Sequence, residues 1–422
     1  MKKTAVIIIG AGGPITWGGP FTSSITKELF QSKEFLTKNG QNLAEFVRDV
    51  LAGFYQRDPG QIHFEFIINA LESIADYLTD DTTQGGPPQF TGSKPAWFSL
   101  NDAYKQIENY EYIPNREGQG FLKNLAKPGD TPIMVYENNY KRFYILEAIE
   151  HYLQIIRNCI GRYDFKEAIT KFKSENEEFL AFYQLLKSQG YSVRFYTTNY
   201  DDLVPLILEL LGEKSLYRGF DIDKTGKMFP NIKEILLNSD RDTYYNLHGS
   251  IYWEINTNEK FEPSFMYAPG IQRAAPMAHA EYTNPSERTI IYNIITGFNK
   301  LQKVSIEPLK AFFTCLSNDA IKADLIVTIG YSYGDTHVNR SLGYGVKHGK
   351  AKFLHITKSD NFFGSSEFIG MQDHMMNKKN YSTDFDYKSP WITAKDNTAM
   401  IYTKGFQDFL TKKDWHRLKE FI

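Results

Sequence analysis

From Thr4 to Ile9 the chain is continuously apolar or β-branched, and the run stops at Gly10. A short run of this kind is the signature of a strand buried on both faces of a parallel sheet. The signature returns at Tyr191–Tyr196, in ADLIVTIG and in KFLHIT, while YYNLHGSIYW predicts a strand followed by a turn at Gly249. Between the first two strands the period changes. NLAEFVRDVLAGFYQ, FEFIINALESIADYL and RFYILEAIEHYLQIIRNCI space their apolar residues three and four apart, as amphipathic helices do. A Gly/Pro-rich loop, TQGGPPQFTGSKP, lies between the second and third. Further helices are predicted from Thr22 to Phe30 with the Thr22 hydroxyl as cap, before Gly190, over DDLVPLILELLG with Pro205 in the first turn, and over the tail DFLTKKDWHRLKEFI.

Strands alternating with helices predict the α/β class, with a doubly wound, mostly parallel, Rossmann-like sheet. A chain of 422 residues exceeds the usual single domain. The pattern divides it into a sheet domain, 1–38 with 176–422, and a helical insertion, 39–175. Residues 358–422 carry no strong signal beyond the terminal helix.

Composition narrows the function. A formal net charge of −2 and the lack of a long basic run give no reason to expect direct nucleic-acid binding. Cys159 and Cys315 form no CxxC pair, so neither a disulfide framework nor a four-cysteine zinc site is expected, and no metal is assigned. Lys2 and Lys3 precede an apolar run too short for a secretory signal, and no stretch approaches the ~20 apolar residues of a membrane span. A cytoplasmic location is the expectation. The aromatic fraction, 15%, supplies core area and suits contacts between copies of the chain.

Four segments carry candidate chemistry. In VIIIGAGGPITWGG, glycines directly after a buried strand let the backbone approach a diphosphate, whose charge would sit at the next helix N-terminus. The dinucleotide fingerprint is incomplete, because Ile15 stands where its third glycine belongs and no acidic residue follows on a second strand. An ordinary dehydrogenase is therefore not expected, and the loop reads equally as a structural turn. YTTNYDD, Tyr196–Asp202, sits at the strand edge where open α/β sheets bind ligands. There Asn199 can orient a water or a ribose hydroxyl and Asp201 can accept hydrogen bonds, or either can cap the next helix, the role preferred for Asp202. NLHGS places His248 beside a glycine at a strand end, exposed enough to exchange protons near neutrality, although a lone histidine in a turn is usually structural. The other histidines, 63, 151, 279, 337, 355 and 416 among them, are read as structural. LIVTIGYSYGDTHVNRSL presents Gly330, Ser332 and Asp335 between a buried strand and a helix, suited to phosphate or ribose, or else to a capped junction. Arg340 is read as a surface or structural cation.

Taken together and in order, GAG, TTNYD, LHGS and GYSYGDTHVNR resemble the sirtuin family, most closely its bacterial sirtuin-like branch. The blocks fall within 1–30 and 190–357, less than half the chain. The resemblance implies that Gly10, Ala11 and Gly12 approach the NAD⁺ phosphates. It implies that Asn199 and Asp201, with Thr198 in place of the family's Gln, lie at the nicotinamide ribose. It makes His248 the catalytic histidine, puts Gly330 and Ser332 on the adenosine side, and adds Asp335 to the cofactor-binding set. The sequence also departs from the family. The two CxxC pairs that hold structural zinc in sirtuin deacylases are missing, as is the Arg after the first glycines, and a helical insertion stands in place of the zinc module.

The branch with helical insertions is associated with NAD⁺ hydrolysis in bacterial defence against phage. NAD⁺ is then substrate rather than bound cofactor, and a homo-oligomer with a HerA-type ATPase partner is implied. The resemblance therefore implies an NAD⁺ glycohydrolase. The alternatives are an NAD-dependent protein deacylase or ADP-ribosyltransferase, and a non-catalytic nucleotide-sensing scaffold for an ATPase.

Overall fold

The computed structural model describes residues 2–77, 96–98, 103–107, 136–237, 241–257, 263–268, 270, 291–296, 300–376, 385–388, 390–412 and 415–422. The loop TQGGPPQFTGSKP and His279 lie outside the described residues. In chain order the strands are β1 (Lys3–Ile9), β2 (Tyr191–Thr197), β3 (Phe220–Ile222), β4 (Met228–Pro230), β5 (Thr243–Asn246), β6 (Trp253–Thr257), β7 (Pro263–Tyr267), β8 (Leu325–Ile329), β9 (Lys352–Ile356), β10 (Phe385–Lys388), β11 (Trp391–Ala394) and β12 (Ala399–Tyr402).

Eight of them form one mixed, mostly parallel sheet in the order β10-β11-β12-β9-β8-β1-β2-β5. The strands with continuous apolar runs take its middle. β1 lies parallel between β2, with Ile9 opposite Thr197, and β8, with Ile9 opposite Ile329. β5 continues the parallel set beyond β2 and β9 beyond β8. Ala5 to Ile8, Val193, Phe195 and Leu325 to Val327 have no exposed surface, as strands covered on both faces require.

From β1 the chain steps outward to β2 and β5, then returns to the other side of β1 for β8 and β9. The strand order therefore reverses between β1 and β8, which creates the crevice at strand C-termini where open α/β sheets take ligands. The segment without a sequence signal extends this sheet. β12 pairs parallel with β9, and β11 and β10 follow antiparallel. A second, antiparallel sheet, β3-β4-β7-β6, was likewise not anticipated. It is built on buried Phe220, Trp253 and Phe265.

The helices follow the expected periods, with local differences. Thr22 is the first residue of the helix Thr22–Gln31, and its carbonyl accepts from the Thr26 hydroxyl, so it sits inside the element and not at its cap. Asn42 caps Leu43–Tyr55 by accepting from the Glu45 N–H. The predicted terminal helix is two, Phe406–Lys412 and Trp415–Phe421.

By its packing the chain forms two compact units, residues 1–21, 158–273 and 304–422, and residues 22–157 with 274–303. The second unit takes in helix Thr22–Gln31, which the sequence pattern grouped with the sheet, while the first takes in 158–175. In the second unit the Lys303 ammonium, almost fully buried, meets Glu72 Oε1 at 2.5 Å and the Thr296 carbonyl at 2.9 Å. Among the described residues no helix is long and apolar enough to cross a membrane.

Candidate functional site

The loops leaving β1, β2, β5 and β8 lie side by side at one edge of the sheet, because those four strands are parallel neighbours. The four sequence blocks therefore converge. After β1 and after β8 the two glycine loops meet backbone to backbone. Gly10 N–H donates to the Ile329 carbonyl at 2.9 Å and Gly12 N–H to the Gly330 carbonyl at 3.0 Å. A β-carbon on Gly10 would stand 2.5 Å from the Gly330 oxygen, and one on Gly12 would stand 2.8 Å from the Gly330 Cα. Gly330 itself has φ +56° and would strike Gly12 at 2.5 Å. These glycines are demanded by the approach of two loops, which is sufficient reason for them before any ligand is considered.

The next helix begins at Thr22, as expected, but it does not follow the glycines directly. A four-residue 3₁₀ turn, Pro14–Trp17, follows instead, so a diphosphate would meet loop amides and not the end of a long helix. Trp17 anchors this turn by donating from Nε1 to Asn176 Oδ1 at 2.8 Å, and Asn176 in turn donates to the Ile169 carbonyl. Ala11 is exposed, Gly12 half-buried and Gly10 buried.

Asn199 joins the β2 loop to the β1 loop. Its Nδ2 donates to the Gly10 carbonyl at 3.1 Å, and its own N–H donates to Thr197 Oγ1 at 3.0 Å. The acceptor at Gly10 fixes which way the amide points, leaving Oδ1 as the face that can hold a water or hydroxyl. Thr198 extends the β1–β2 ladder, its N–H donating to the Ile9 carbonyl.

Asp201 is placed differently from the expectation of a ribose contact. It is buried and already engaged. Tyr163 donates to Oδ2 at 2.7 Å, Leu203 N–H to Oδ1, and Tyr244 and Asn246 to its carbonyl. Burial pushes its acid up to about 6, against the lowering effect of these donors. Asp202, expected to cap the helix Leu203–Leu210, makes no side-chain cap. It accepts from the Tyr267 hydroxyl at 2.9 Å and faces Arg218 at 3.7 Å. Asp164 lies beneath them and accepts from the Asp202 N–H at 2.8 Å. Burial first, then the carboxylates of Asp201 and Asp202, holds Asp164 well above the usual carboxylate range. Its Oδ1 has no hydrogen-bond partner among the described residues, which leaves a place for the proton.

His248 follows β5 by two residues, as Asn199 follows β2 by two, and Thr197 and Asn246 are partners in the ladder. The expectation of an exposed histidine fails, since His248 is only 1% exposed. The loop after β8 folds over it. His248 Nε2 lies 2.8 Å from His337 Nε2 and 3.7 Å from Asp335 Oδ1. His337 was read as structural from the sequence, and its partner, 89 positions away, has no local signature. Asp335 sits at the N-cap of the helix Thr336–His348 without capping it. Ser332 is exposed on the loop, and so is Arg340 on the helix. Comparison with protein-family models and with curated proteins finds no match.

Proposed function

We propose that this chain binds NAD⁺ at the β1–β8 reversal of a sirtuin-like Rossmann sheet and hydrolyses its nicotinamide–ribose bond. The observation that carries the reading is the convergence of all four sequence blocks at one sheet edge, with the Asn199 amide locked on the Gly10 carbonyl. In this reading the loop amides around Gly10–Gly12 and Gly330–Ser332 face the phosphates and the adenosine side, where the bare backbone admits close approach. Nicotinamide leaves with its bonding electrons as positive charge builds on the ribose, and fixed dipoles in a dry crevice favour that state. Asn199 Oδ1 orients the water. His248 takes the proton, which the contact with His337 allows the two imidazoles to share.

Asp201 supports the loop from below and does not touch the ribose, given its engagement with Tyr163 and Tyr244. The biological setting that accompanies this reading is NAD⁺ depletion in phage defence, by a homo-oligomer working with a HerA-type ATPase. The test is chromatography of products after incubation of the purified chain with NAD⁺ alone, and again with that ATPase. Nicotinamide and ADP-ribose are expected in the absence of any acyl-peptide acceptor. Asn199→Ala should lower the rate about 100-fold or more. Turnover that requires an acylated peptide would replace this reading with the deacylase, turnover unchanged in Asn199→Ala would remove Asn199 from the chemistry, and no turnover together with biological function that survives Asn199→Ala would replace it with the scaffold.

A further inference from the structure

We infer that His248, His337 and Asp335 form a binding site for a divalent transition metal, of which Zn²⁺ is the expected occupant. One ligand atom from each residue lies within 4.8 Å of the others, on a sheet-edge loop and the first turn of the helix that faces it. Two nitrogens bound to one ion at about 2.1 Å stand roughly 3.0 Å apart at a right angle and about 3.4 Å apart at the tetrahedral angle. The observed Nε2–Nε2 separation of 2.8 Å is thus a few tenths of an ångström short of a ligand pair, within reach of small ring rotations. The 3.7 Å from His248 Nε2 to Asp335 Oδ1 is too long for a hydrogen bond yet suits two ligands of a common ion.

The donors stand on a stiff support. The Tyr331 hydroxyl donates to Asn339 Oδ1 at 2.7 Å, Asn339 Nδ2 donates to the Tyr333 carbonyl at 2.7 Å, and Asn339 N–H donates to the Asp335 carbonyl. The turn carrying Asp335 is therefore tied to the helix carrying His337, and rigid donors lower the cost of assembling a site. Two imidazoles and one carboxylate favour zinc and its neighbours over magnesium or calcium, and three protein ligands leave positions open for water.

Occupation takes the Nε2 lone pair of His248. If His248 is the base of the hydrolysis proposed above, and this clause rests on that reading, the ion is an inhibitor and its removal releases the enzyme.

The experiment uses the full chain stripped with a chelator. Co²⁺ is titrated by visible absorbance and Zn²⁺ by calorimetry, on the wild type, His337→Gln and Asp335→Asn, with thermal melts in chelator to show that each variant is folded. One ion per chain is expected for the wild type, with affinity about 10-fold or more weaker in each variant. Background binding at exposed pairs such as His416 and Glu420 is common to all three chains and cancels. Equal affinity in wild type and variants, or no ion bound by the wild type, overturns the site. The NAD⁺ assay is run in parallel with and without Zn²⁺. Metal binding with no NAD⁺ turnover even in the stripped chain sinks the hydrolase and leaves the site standing, whereas turnover in the stripped chain without any metal binding does the reverse.

Discussion

At the scale of single residues, environment decides the role more than residue type does. Gly330 combines a left-handed backbone with a position at which an added β-carbon would stand 2.5 Å from Gly12. Gly330→Ala should therefore lower stability by about 2–4 kcal/mol, as strain and overlap add, and should shift the urea midpoint without altering its slope. A change under about 0.5 kcal/mol would show that the loops separate freely. The acids under the β2 loop set a pH dependence. The folded chain retains protons on Asp164 and Asp201 that an unfolded chain releases near pH 4. The native state thus binds more protons in that range, and stability falls as pH rises from there through the Asp201 value of about 6, with the raised Asp164 carboxyl adding to the loss in the same direction. Asp164→Asn keeps an acceptor for the Asp202 N–H and removes the charge. Its melting temperature should exceed that of the wild type at pH 8 and approach it as pH falls below about 4, where the unfolded carboxyl is protonated too; parallel curves would mean that Asp164 is ionised in the fold. None of this was legible in the sequence, because Tyr163 and Asp164 reach Asp201 and Asp202 from 38 positions away. The residues TTNYD identified the loop and left open which of its polar groups face outward.

At the scale of elements, legibility tracks burial. β1, β2, β8 and β9 were readable because strands covered on both faces are written in uninterrupted apolar residues. β10, β11 and β12 have four residues each, and β3 and β4 have three, too few for a period to emerge. Helical segments were found by their stripe: NLAEFVRDVLAGFYQ begins at Asn42, the residue that caps Leu43–Tyr55, whereas Thr22, expected as a cap, is the first residue of its helix. The 3₁₀ turn after the glycines escaped notice because Pro14 and the flanking glycines read as loop, while its anchor lies in another helix. That anchor is testable. Asn176→Ala removes the acceptor of the Trp17 indole and the donor to the Ile169 carbonyl, both buried. A loss of about 2–3 kcal/mol is expected from two broken hydrogen bonds with orphaned partners. Under the proposed function, weakened NAD⁺ affinity should accompany it, since the turn continues the Gly10–Gly12 loop. Loss of stability with unchanged affinity would separate the anchor from the site.

For the whole molecule, each compact unit is assembled from separated stretches of chain, residues 1–21, 158–273 and 304–422 in the first and 22–157 with 274–303 in the second, where the sequence pattern divides 1–38 with 176–422 from 39–175. Residues 274–303 join the second unit, where Lys303 reaches Glu72 across 231 positions. No local pattern announces such a return. The two cysteines report on the integrity of the first unit. Cys159 and Cys315 are both buried and in no disulfide, and burial pushes the Cys315 thiol up to about 12. Neither should react with iodoacetamide at pH 8 in native buffer, and both should react once urea crosses the unfolding midpoint. Early labelling of one thiol alone would reveal a local opening well below the global transition.

The abutting glycine loops also limit how this crevice can diversify. Where two main chains touch with no side chain between them, peptide geometry sets the gap, and exchanging residues there cannot widen or narrow it by degrees. Under the proposed function, selectivity among dinucleotides would have to be adjusted at side-chain-bearing positions beside the glycines, at Asn199 and along the loop carrying His248. A library confined to those positions should yield altered preferences, while one spread over the glycines should yield mostly misfolded chains.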